Sequence, residues 1–252
     1  MDHLRDAAEL GAALSGAQSL CVLTGAGVSA ESGIPTFRGP DGLWEKFRIE
    51  ELATPEAFAR DPMLVWEWYA WRREMMHKAE PNPAHYALAD MENQFAVRPG
   101  CSFTLVTQNV DGLHERSGSR NIVRLHGSVW VLRCAKCGSE REDRSVPLDP
   151  FPPRCICDNL MRPAVVWFGE VLPEAAWQRA IQAASAADVF LVVGTSALVY
   201  PAASLPLVAK QRGARLIEIN PDPTPLSDLA DLTLTGKAGE ILGALRPRQP
   251  VV

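Results

Sequence analysis

Short apolar runs alternate with segments of helical periodicity along most of this chain. The runs are predicted to be buried strands, because strands covered on both faces read as continuous apolar stretches. They are Ser19–Thr24, Phe103–Thr107, Ala164–Phe168, Asp188–Gly194, Arg215–Asn220 and the weaker Asp231–Thr235. Helices are predicted over residues 3–15, 62–78, 173–186, 201–212 and 238–245. This alternation predicts an α/β fold in which helices cover both faces of a parallel sheet.

The segment 62–78 shows a clear helical period. Spacings of three and four predict an apolar stripe formed by Leu64, Trp68, Trp71 and Met75. Tyr69 and Arg72 are three residues apart and are therefore neighbours beside this stripe. A phenol and a guanidinium side by side can bind a carboxylate through charge-assisted hydrogen bonds. From the period alone, a surface arginine packed on a tyrosine is the simpler interpretation.

Residues 130–162 interrupt this rhythm and are predicted to form a small insert. The segment holds a Cys-x-x-Cys pair and a Cys-x-Cys pair, namely Cys134, Cys137, Cys155 and Cys157. Four thiolates on two short loops predict a closed, tetrahedral zinc site, with four reduced free thiols as the alternative. The other two cysteines, Cys21 and Cys101, are predicted to pack in the core.

Composition narrows the classes of function. The 252-residue chain is 47% hydrophobic and 22% charged and carries a net charge of −5, which disfavours a nucleic-acid binder driven by phosphate contacts. No apolar run reaches the roughly 20 residues that cross a bilayer, and the N-terminal residues lack a leader pattern. We therefore expect no nucleic-acid or membrane partner and a cytoplasmic location, where paired cysteines bind metal rather than form disulfides.

Glycine and polar residues follow three of the predicted strands. They occur in Gly25-Ala26-Gly27-Val28-Ser29-Ala30, in Thr107-Gln108-Asn109-Val110-Asp111 and in Gly194-Thr195-Ser196. Strand ends of this kind predict one crevice that holds a large polar cofactor. An ordinary nicotinamide dehydrogenase is disfavoured, because Gly33 and Pro35 stop the long helix that should follow the first turn and no acidic strand end comes about 20 residues later.

His126 is the candidate general base. It stands between an apolar run and Gly127-Ser128, a setting that can direct an imidazole into a cleft. Its ordinary pKa near neutrality suits proton transfer. The competing histidines are His77, His85 and His114, and a purely structural histidine is the ordinary alternative.

Taken in order, these motifs resemble the sirtuin family of NAD-dependent protein deacylases. The similarity runs from about Leu20 to Leu242 and includes the cysteine pairs and Asn220. Two further motifs that carry it are Gly33-Ile34-Pro35-Thr36-Phe37-Arg38 and Val165-Val166-Trp167-Phe168-Gly169-Glu170. The resemblance implies one catalytic domain over residues 1–252. Its expected parts are a Rossmann-like, doubly wound lobe at about 1–36, 80–129 and 163–252, a helical module at about 37–79 and a zinc-binding insert at about 130–162.

The resemblance also implies a role for each candidate site residue. His126 is the expected general base, and Asn109 and Asp111 are expected to act with it around the nicotinamide. The residues expected to bind NAD are Gly25, Ala26, Gly27, Ser29, Thr36, Phe37, Arg38, Gln108, Asn109, Asp111, Gly194, Thr195, Ser196, Asn220, Lys237 and Ala238. The substrate backbone is expected to add as a β-strand to Val166, Trp167, Phe168, Gly169 and Glu170. One structural zinc is expected on Cys134, Cys137, Cys155 and Cys157.

Leu52-Ala53-Thr54-Pro55 and the segment from Trp66 to Met75 resemble one sirtuin subgroup in particular. That subgroup removes succinyl, malonyl and glutaryl groups from lysine, removes acetyl more weakly, and yields nicotinamide and an acyl-ADP-ribose. Tyr69 and Arg72 are then the expected ligands of the acyl carboxylate, and Ala53 leaves room for the longer chain. The expected partners are acyl-lysine proteins or peptides, bound by a monomer.

Three other functions compete with this interpretation. One is a general deacetylase in which Tyr69 and Arg72 are incidental. Another is a module that binds NAD or acyl-lysine without turnover, which the combination of Asn109, Asp111 and His126 disfavours. The third is mono-ADP-ribosyl transfer. The chain departs from the family pattern in its shortened second cysteine pair, with Arg154 where some relatives place a cysteine, and in Ala164, which replaces an acidic residue.

Overall fold

The computed structural model describes residues 3–37, 42–43 and 48–246. Its strands are β1 (Ser19–Thr24), β2 (Ser102–Thr107), β3 (Ile122–Arg124), β4 (Gly127–Cys134), β5 (Glu140–Glu142), β6 (Met161–Val165), β7 (Val189–Val193), β8 (Arg215–Asn220) and β9 (Leu232–Thr235). Its α-helices are α1 (His3–Leu14), α2 (Ile49–Leu52), α3 (Pro55–Arg60), α4 (Pro62–Lys78), α5 (Pro83–Ala96), α6 (Leu113–Arg116), α7 (Glu174–Ala186), α8 (Leu205–Gln211) and α9 (Ala238–Gly243). Short 3-10 helices cover Ala26–Ser32 and Ala202–Ser204. Among the described helices, none combines the length and the apolar character that crossing a membrane requires.

The large sheet has six strands in the order β3-β2-β1-β7-β8-β9. Every neighbouring pair in it is parallel. The strand order runs outward in opposite directions from β1 and β7, which lie side by side in the middle of the sheet. Loops leaving the carboxyl ends of two such strands diverge and open a crevice, which is where doubly wound sheets bind ligands. The predicted Rossmann-like fold is confirmed.

Helices cover both faces of this sheet. Successive side chains of a strand point to opposite faces, and in these strands the side chains on both faces are mostly apolar. Leu20 and Val22 of β1 pack in one cluster with residues of α1, α5 and α9. Cys21 and Leu23 pack on the other face with residues of α7 and α8. Cys21 is therefore a core residue, as predicted, and Cys101 packs half-buried against the first cluster. Two-sided burial fixes the strand ends that carry the candidate site residues.

A second, antiparallel sheet has three strands in the order β5-β4-β6. The prediction of a parallel-sheet strand over Ala164–Phe168 is wrong. The strand there is β6, at Met161–Val165, and it pairs antiparallel with β4. Residues 135–160, all of which the structure describes, contain no helix, whereas a parallel neighbour in the same sheet requires a long crossover that is usually helical. The chain therefore returns as a hairpin, and the four cysteines lie at its far end.

Helix α4 has the predicted bounds, but its buried face differs from the predicted stripe. Leu64 and Trp71 are 41% and 38% exposed. Trp68 is buried, and Tyr69 and Arg72 are buried with it. The predicted stripe misses this face because a search for apolar periodicity treats an arginine and a tyrosine hydroxyl as solvent-facing groups.

Candidate active site

A cavity of about 850 Å³ lies at the carboxyl ends of β1, β2, β7 and β8. Clefts that bind small molecules and cofactors measure roughly 300–1,000 Å³. Every predicted cofactor and substrate residue that the structure describes lines this cavity, and so does His126. Arg38 lies outside the described residues. The separate motifs of the sequence thus meet in one continuous space.

Two glycine turns form the floor of the cavity and touch each other. The Gly27 N–H donates to the carbonyl oxygen of Gly194 at 2.8 Å. A Cβ added to Gly27 would lie 2.7 Å from that oxygen, and a Cβ on Gly194 would collide with the Val28 nitrogen. Gly194 also has a φ of +58°, in the left-handed region. Neither position accepts a side chain without moving the other turn.

The 3-10 helix that follows the first glycine turn is short. It covers seven residues and ends at Gly33, which has a φ of +82°. A left-handed glycine after a helix ends it by satisfying its last carbonyl groups. The helix therefore stops where the sequence predicts, which separates this site from that of an ordinary nicotinamide dehydrogenase.

Asp111, Ser29 and Asn109 form a hydrogen-bonded cluster on the cavity wall. The Ser29 hydroxyl donates to Asp111 Oδ2 at 2.9 Å and accepts from Asn109 Nδ2 at 3.1 Å. Asp111 Oδ1 accepts from the Leu113 N–H at 2.9 Å. Burial raises the pKa of Asp111, and the hydrogen bonds from Leu113 and Ser29 oppose that rise. The cluster offers amide and carboxyl groups that can bind a carboxamide.

His85 supports this cluster from inside the protein. Its Nδ1 accepts from the Asn82 N–H at 3.2 Å, so its Nε2 carries the proton and lies 3.4 Å from Ser29 Oγ. Burial lowers the pKa of His85 to about 4. Burial also lowers the pKa of His114, well below its ordinary value. Neither ring lines the cavity, which leaves His126 as the candidate base.

The His126 imidazole is held in one tautomer by the backbone. Its Nδ1 lies 3.0 Å from the carbonyl oxygen of Gln108. A carbonyl oxygen only accepts, so Nδ1 carries the proton and Nε2 presents a lone pair. Burial lowers the pKa of His126, and the hydrogen bond to Gln108 partly opposes this. The ring is therefore neutral at pH 7, the form that a general base requires.

Arg72 lies in an aromatic corner of the cavity. Its guanidinium carbon is 4.8 Å from the ring centroid of Trp68, 4.9 Å from that of Phe37 and 5.7 Å from that of Tyr69. The residue is 4% exposed. Burial lowers the pKa of Arg72, while electrostatic interactions with Tyr69 and Asp111 and a hydrogen bond with Tyr69 act in the opposite direction. Among the described residues, no carboxylate forms an ion pair with this buried cation.

Tyr69 presents a proton beside that cation. Its oxygen accepts a hydrogen bond from Trp167 Nε1 at 2.8 Å. Burial raises the pKa of Tyr69, so the phenol stays protonated at neutral pH. Within the described part of the chain, no acceptor for the Tyr69 O–H is found. The Tyr69 hydroxyl therefore remains available as a donor to a ligand. Arg72 forms a hydrogen bond with Tyr69 and has further N–H donors that can bind the same ligand.

The segment Val166–Glu170 is tied to its surroundings through its backbone. The Val166 N–H donates to the His126 carbonyl, and the Phe168 N–H donates to the Ala53 carbonyl, both at 3.0 Å. These two donors are therefore not available to an added substrate strand. Strand addition at this segment stays a prediction and must use other backbone groups.

Glu170, the last residue of this segment, forms an ion pair with Arg162 that the sequence analysis does not predict. Its carboxylate accepts from Arg162 Nη1 at 2.6 Å, from Arg162 Nη2 at 2.8 Å and from the Trp167 N–H at 2.8 Å. Burial alone raises the pKa of Glu170, but the hydrogen bonds from Arg162 and Trp167 outweigh it, and the net shift is downward. The carboxylate is thus already occupied within the protein.

The four paired cysteines converge as predicted. Their Sγ atoms all lie within 4.8 Å of one another. The Cys134–Cys157 and Cys137–Cys155 Sγ distances are 3.5 and 3.7 Å. Zinc–thiolate bonds of about 2.3 Å in a tetrahedron place the sulfurs roughly 3.8 Å apart. The four thiols therefore fit one structural zinc ion, and the shortened Cys-x-Cys pair is compatible with that geometry.

Sequence reasoning missed several residues of the cavity wall. They are Glu31, Met76, Leu198, Tyr200 and Asp222. Most of them follow a predicted motif by a few residues, and Met76 lies one helical turn after Arg72 on α4. Adjacency to a motif and helical spacing were the available signals.

Known proteins match this chain over most of its length. A family model described as SIR2, the Sir2 family, matches residues 25–201. The NAD-dependent protein deacylase 1 of Archaeoglobus fulgidus is 58% identical over 227 residues, which cover 90% of this chain and 91% of that protein. This chain belongs to the Sir2 family. Another Sir2-family relative, the NAD-dependent protein deacylase 2 of Pyrobaculum aerophilum, is 55% identical over 233 residues, covering 92% and 91% of the two chains.

Solved Sir2 structures share the fold of this Sir2-family chain. A mutant Sir2 homologue in complex with ADP-ribose has a TM-score of 0.89 and 55% sequence identity, with 94% of each chain covered. A Sir2 homologue in complex with NAD has a TM-score of 0.87 and the same 55% identity, with 94% of this chain and 91% of that chain covered. The family resemblance seen in the sequence is therefore confirmed.

Proposed function

We propose that this NAD-dependent protein deacylase prefers lysines that carry an acidic acyl group, succinyl, malonyl or glutaryl, over acetyl-lysine. The observation that carries the proposal is Arg72, a buried cation on the cavity wall with no ion-pair partner among the described residues. A buried charge without a counter-ion is unfavourable. The carboxylate of an acidic acyl chain supplies that counter-ion, whereas an acetyl group leaves the cation unpaired.

Tyr69 and Ala53 add to the same preference. The Tyr69 O–H and the Arg72 fork provide donors on the cavity side of α4, which suits the two oxygens of a carboxylate. Ala53 lines the cavity, and its single methyl group leaves room for a chain longer than acetyl. A desolvated contact of this type contributes about 1.5–3 kcal/mol. That range corresponds to roughly a 10- to 150-fold preference for succinyl over acetyl.

NAD is assigned to the part of the cavity above the two glycine turns. The residues proposed to contact its phosphates and the nicotinamide ribose are Gly25, Ala26, Gly27, Thr36 and Phe37. The residues proposed to hold the adenosine half are Thr195, Ser196, Asn220, Lys237 and Ala238, and all of them line the cavity. Ser29, Asn109 and Asp111 supply the polar cluster for the nicotinamide carboxamide. Gln108 fixes the base of this wall, because its Nε2 donates to Thr195 Oγ1 at 3.0 Å.

The chemical step needs one base from the protein. Bound NAD would supply an electrophilic ribose carbon for the acyl-lysine oxygen, with nicotinamide as the leaving group. His126 is the proposed base that takes a proton from a ribose hydroxyl, because its Nε2 lone pair faces the cavity while Nδ1–H is held by Gln108. Asn109 and Asp111 hold the leaving nicotinamide. The Val166–Glu170 segment positions the substrate backbone beside His126.

Zinc has no part in these steps. Four thiolates would complete the coordination of a bound zinc ion and leave no open position for a water or a substrate. None of the four cysteines lines the cavity. A zinc ion bound by these cysteines would instead join the two loops at the far end of the hairpin that carries β4 and β6. Its proposed role is to hold the second sheet against α4.

The experiment compares the wild-type protein on matched peptides that differ only in the acyl group on one lysine. NAD-dependent kcat/KM is measured for succinyl-, malonyl- and acetyl-lysine, and mass spectrometry identifies the nicotinamide and acyl-ADP-ribose products. We expect succinyl and malonyl to exceed acetyl by roughly 10- to 150-fold. Equal values for all three would refute the acidic preference. Peptide binding without nicotinamide release would refute catalysis.

A further inference from the structure

The indole of Trp130 contacts the turn that carries Asp111. Trp130 is a buried residue of β4, and its Nε1–H donates to the Asp111 carbonyl oxygen at 2.6 Å. The next residue, Gly112, has a φ of +80°, and a Cβ there would lie 3.2 Å from the indole Cδ1 and Nε1 atoms. A hydrogen bond and close packing therefore hold this turn against the indole edge.

Arg73 fixes the indole in turn. Its guanidinium carbon lies 4.8 Å from the Trp130 ring centroid. The guanidinium donates to the carbonyl oxygens of Val129 at 2.6 Å, Asp143 at 2.7 Å and Ser145 at 3.1 Å. The Asp143 N–H donates back to the Trp130 carbonyl at 2.8 Å. Helix α4, strand β4 and the segment after β5 thus form one hydrogen-bonded unit around the indole.

The strand that holds the indole also ends in a zinc ligand. Cys134 is the last residue of β4, four positions after Trp130. β4 is the central strand of the second sheet and pairs with β5 and β6. Because that sheet sets the position of β4, it also sets the position of the indole relative to the Asp111 turn.

The carboxylate of Asp111 is held separately from its main chain. Ser29 and Leu113 donate to its two oxygens. Trp130 binds the carbonyl of the same residue. With its carboxylate held by Ser29 and its main-chain carbonyl held by Trp130, Asp111 has one position relative to Asn109. Loss of the indole donor frees the main chain and changes the distance between the Asp111 carboxyl and the Asn109 amide.

We propose that Trp130 is a positioning residue for the nicotinamide pocket. Its indole N–H fixes the Asp111 turn, so that the affinity of the pocket for a nicotinamide carboxamide depends on an ordered zinc-binding insert. The inference rests on the proposed role of Asp111 in binding nicotinamide.

The test compares Trp130→Phe with a matched control, Trp66→Phe. Trp66 is fully buried, and its Nε1–H also donates to a backbone carbonyl, that of Met161, at 2.8 Å. Its bond links α4 to β6 and does not touch the Asp111 turn. We expect Trp130→Phe to raise the KM for NAD and the inhibition constant of nicotinamide by about 3- to 10-fold. We expect Trp66→Phe to leave both unchanged, with one zinc per chain in each variant.

The outcomes separate the inference from the proposed function. Equal shifts in the two tryptophan variants would show that only general packing was disturbed and would overturn the inference. The same holds if Asp111→Asn weakens nicotinamide inhibition while Trp130→Phe does not. If Asp111→Asn has no effect on NAD or nicotinamide, the proposed role of Asp111 fails, and the inference fails with it.

A measurement on the wild-type protein keeps the inference testable even if Trp130→Phe does not fold. Indole N–H signals are recorded by NMR before and after NAD is added without peptide. We expect the Trp130 signal to shift and its hydrogen exchange to slow, while the Trp66 signal stays in place. An unchanged Trp130 signal at saturating NAD would overturn the inference.

Discussion

Replacing Arg72 with methionine removes a buried cation and keeps a long, unbranched side chain. In the free protein, the variant loses cation–π contacts with three rings at 4.8–5.7 Å from the guanidinium carbon, each worth about 0.5–2 kcal/mol. It also removes an unpaired buried charge, whose desolvation costs several kcal/mol. These effects oppose each other, so we expect little change in melting temperature. With a succinyl chain bound, the loss is about 1.5–3 kcal/mol of charge-assisted contact, or roughly 10- to 150-fold in kcat/KM.

The assay measures kcat/KM of the wild type, Arg72→Met and Tyr69→Phe on succinyl- and acetyl-lysine peptides of one sequence. Arg72→Met should lose only the succinyl activity, because acetyl makes no contact that depends on the cation. Tyr69→Phe should also lose roughly 10- to 150-fold on succinyl, the loss expected for one hydrogen bond to a charged group. An equal loss of kcat/KM on both peptides would show that Arg72 supports the cavity wall and does not bind the acyl carboxylate. That result would refute the reasoning.

The remaining predictions concern the base, the metal and the ion pair of the substrate segment. Because burial lowers the pKa of His126 in the free protein, the acidic limb of the pH profile of kcat/KM should lie below pH 6.5, and His126→Ala should abolish turnover. A limb above pH 7 would contradict this. Chelation of zinc should lower the melting temperature by at least several degrees. As a control, the Cys101→Ser variant, which is changed outside the cysteine site, should keep one zinc per chain. An unchanged melting curve after complete zinc loss would contradict a structural role. The pKa of Glu170 is lower in the folded protein than in the unfolded chain, so its pairing with Arg162 stabilises the fold. This stabilisation is fully present at a pH above the pKa of the carboxyl group in the unfolded chain, and it is lost as the pH falls through the pKa of the folded protein. The melting-temperature difference between wild type and Glu170→Gln should therefore shrink below about pH 4, and a difference that grows in acid would contradict the assignment.

The central strands were predictable because they are buried on both faces. The predicted and observed bounds agree at Ser19–Thr24 and Arg215–Asn220. Continuous apolar runs of this length have few other stable environments than a covered parallel sheet. Helix α5 was not predicted, because its buried face includes His85 and Glu92, which a search for apolar periodicity discards. Its start carried a usable signal, since Asn82 caps the helix and proline follows it.

Site residues were predictable where a sequence motif includes both the residue and its neighbours in the chain. Contacts between distant segments were less predictable. His126 and the four cysteines belong to the first kind. The Glu170–Arg162 pair belongs to the second, because it depends on how the chain continues after β6, and the sequence-based prediction placed that strand in the wrong sheet. Trp130 was missed for a similar reason: its hydrogen bond to Asp111 crosses from the second sheet to the loop after β2.

The contact between the two glycine turns limits how the cofactor specificity of this enzyme can be redesigned. A side chain on Gly27 would collide with the turn at Gly194, and a side chain on Gly194 would collide with the turn at Gly27. Both residues are already glycines, so a second substitution cannot make room for the first. Space for a nucleotide analogue with a bulky substituent must instead come from the walls. Leu198 and Tyr200 line the cavity and are more than half exposed, so they can be trimmed without opening the core. Directed libraries should therefore vary these two positions and leave the paired turns untouched.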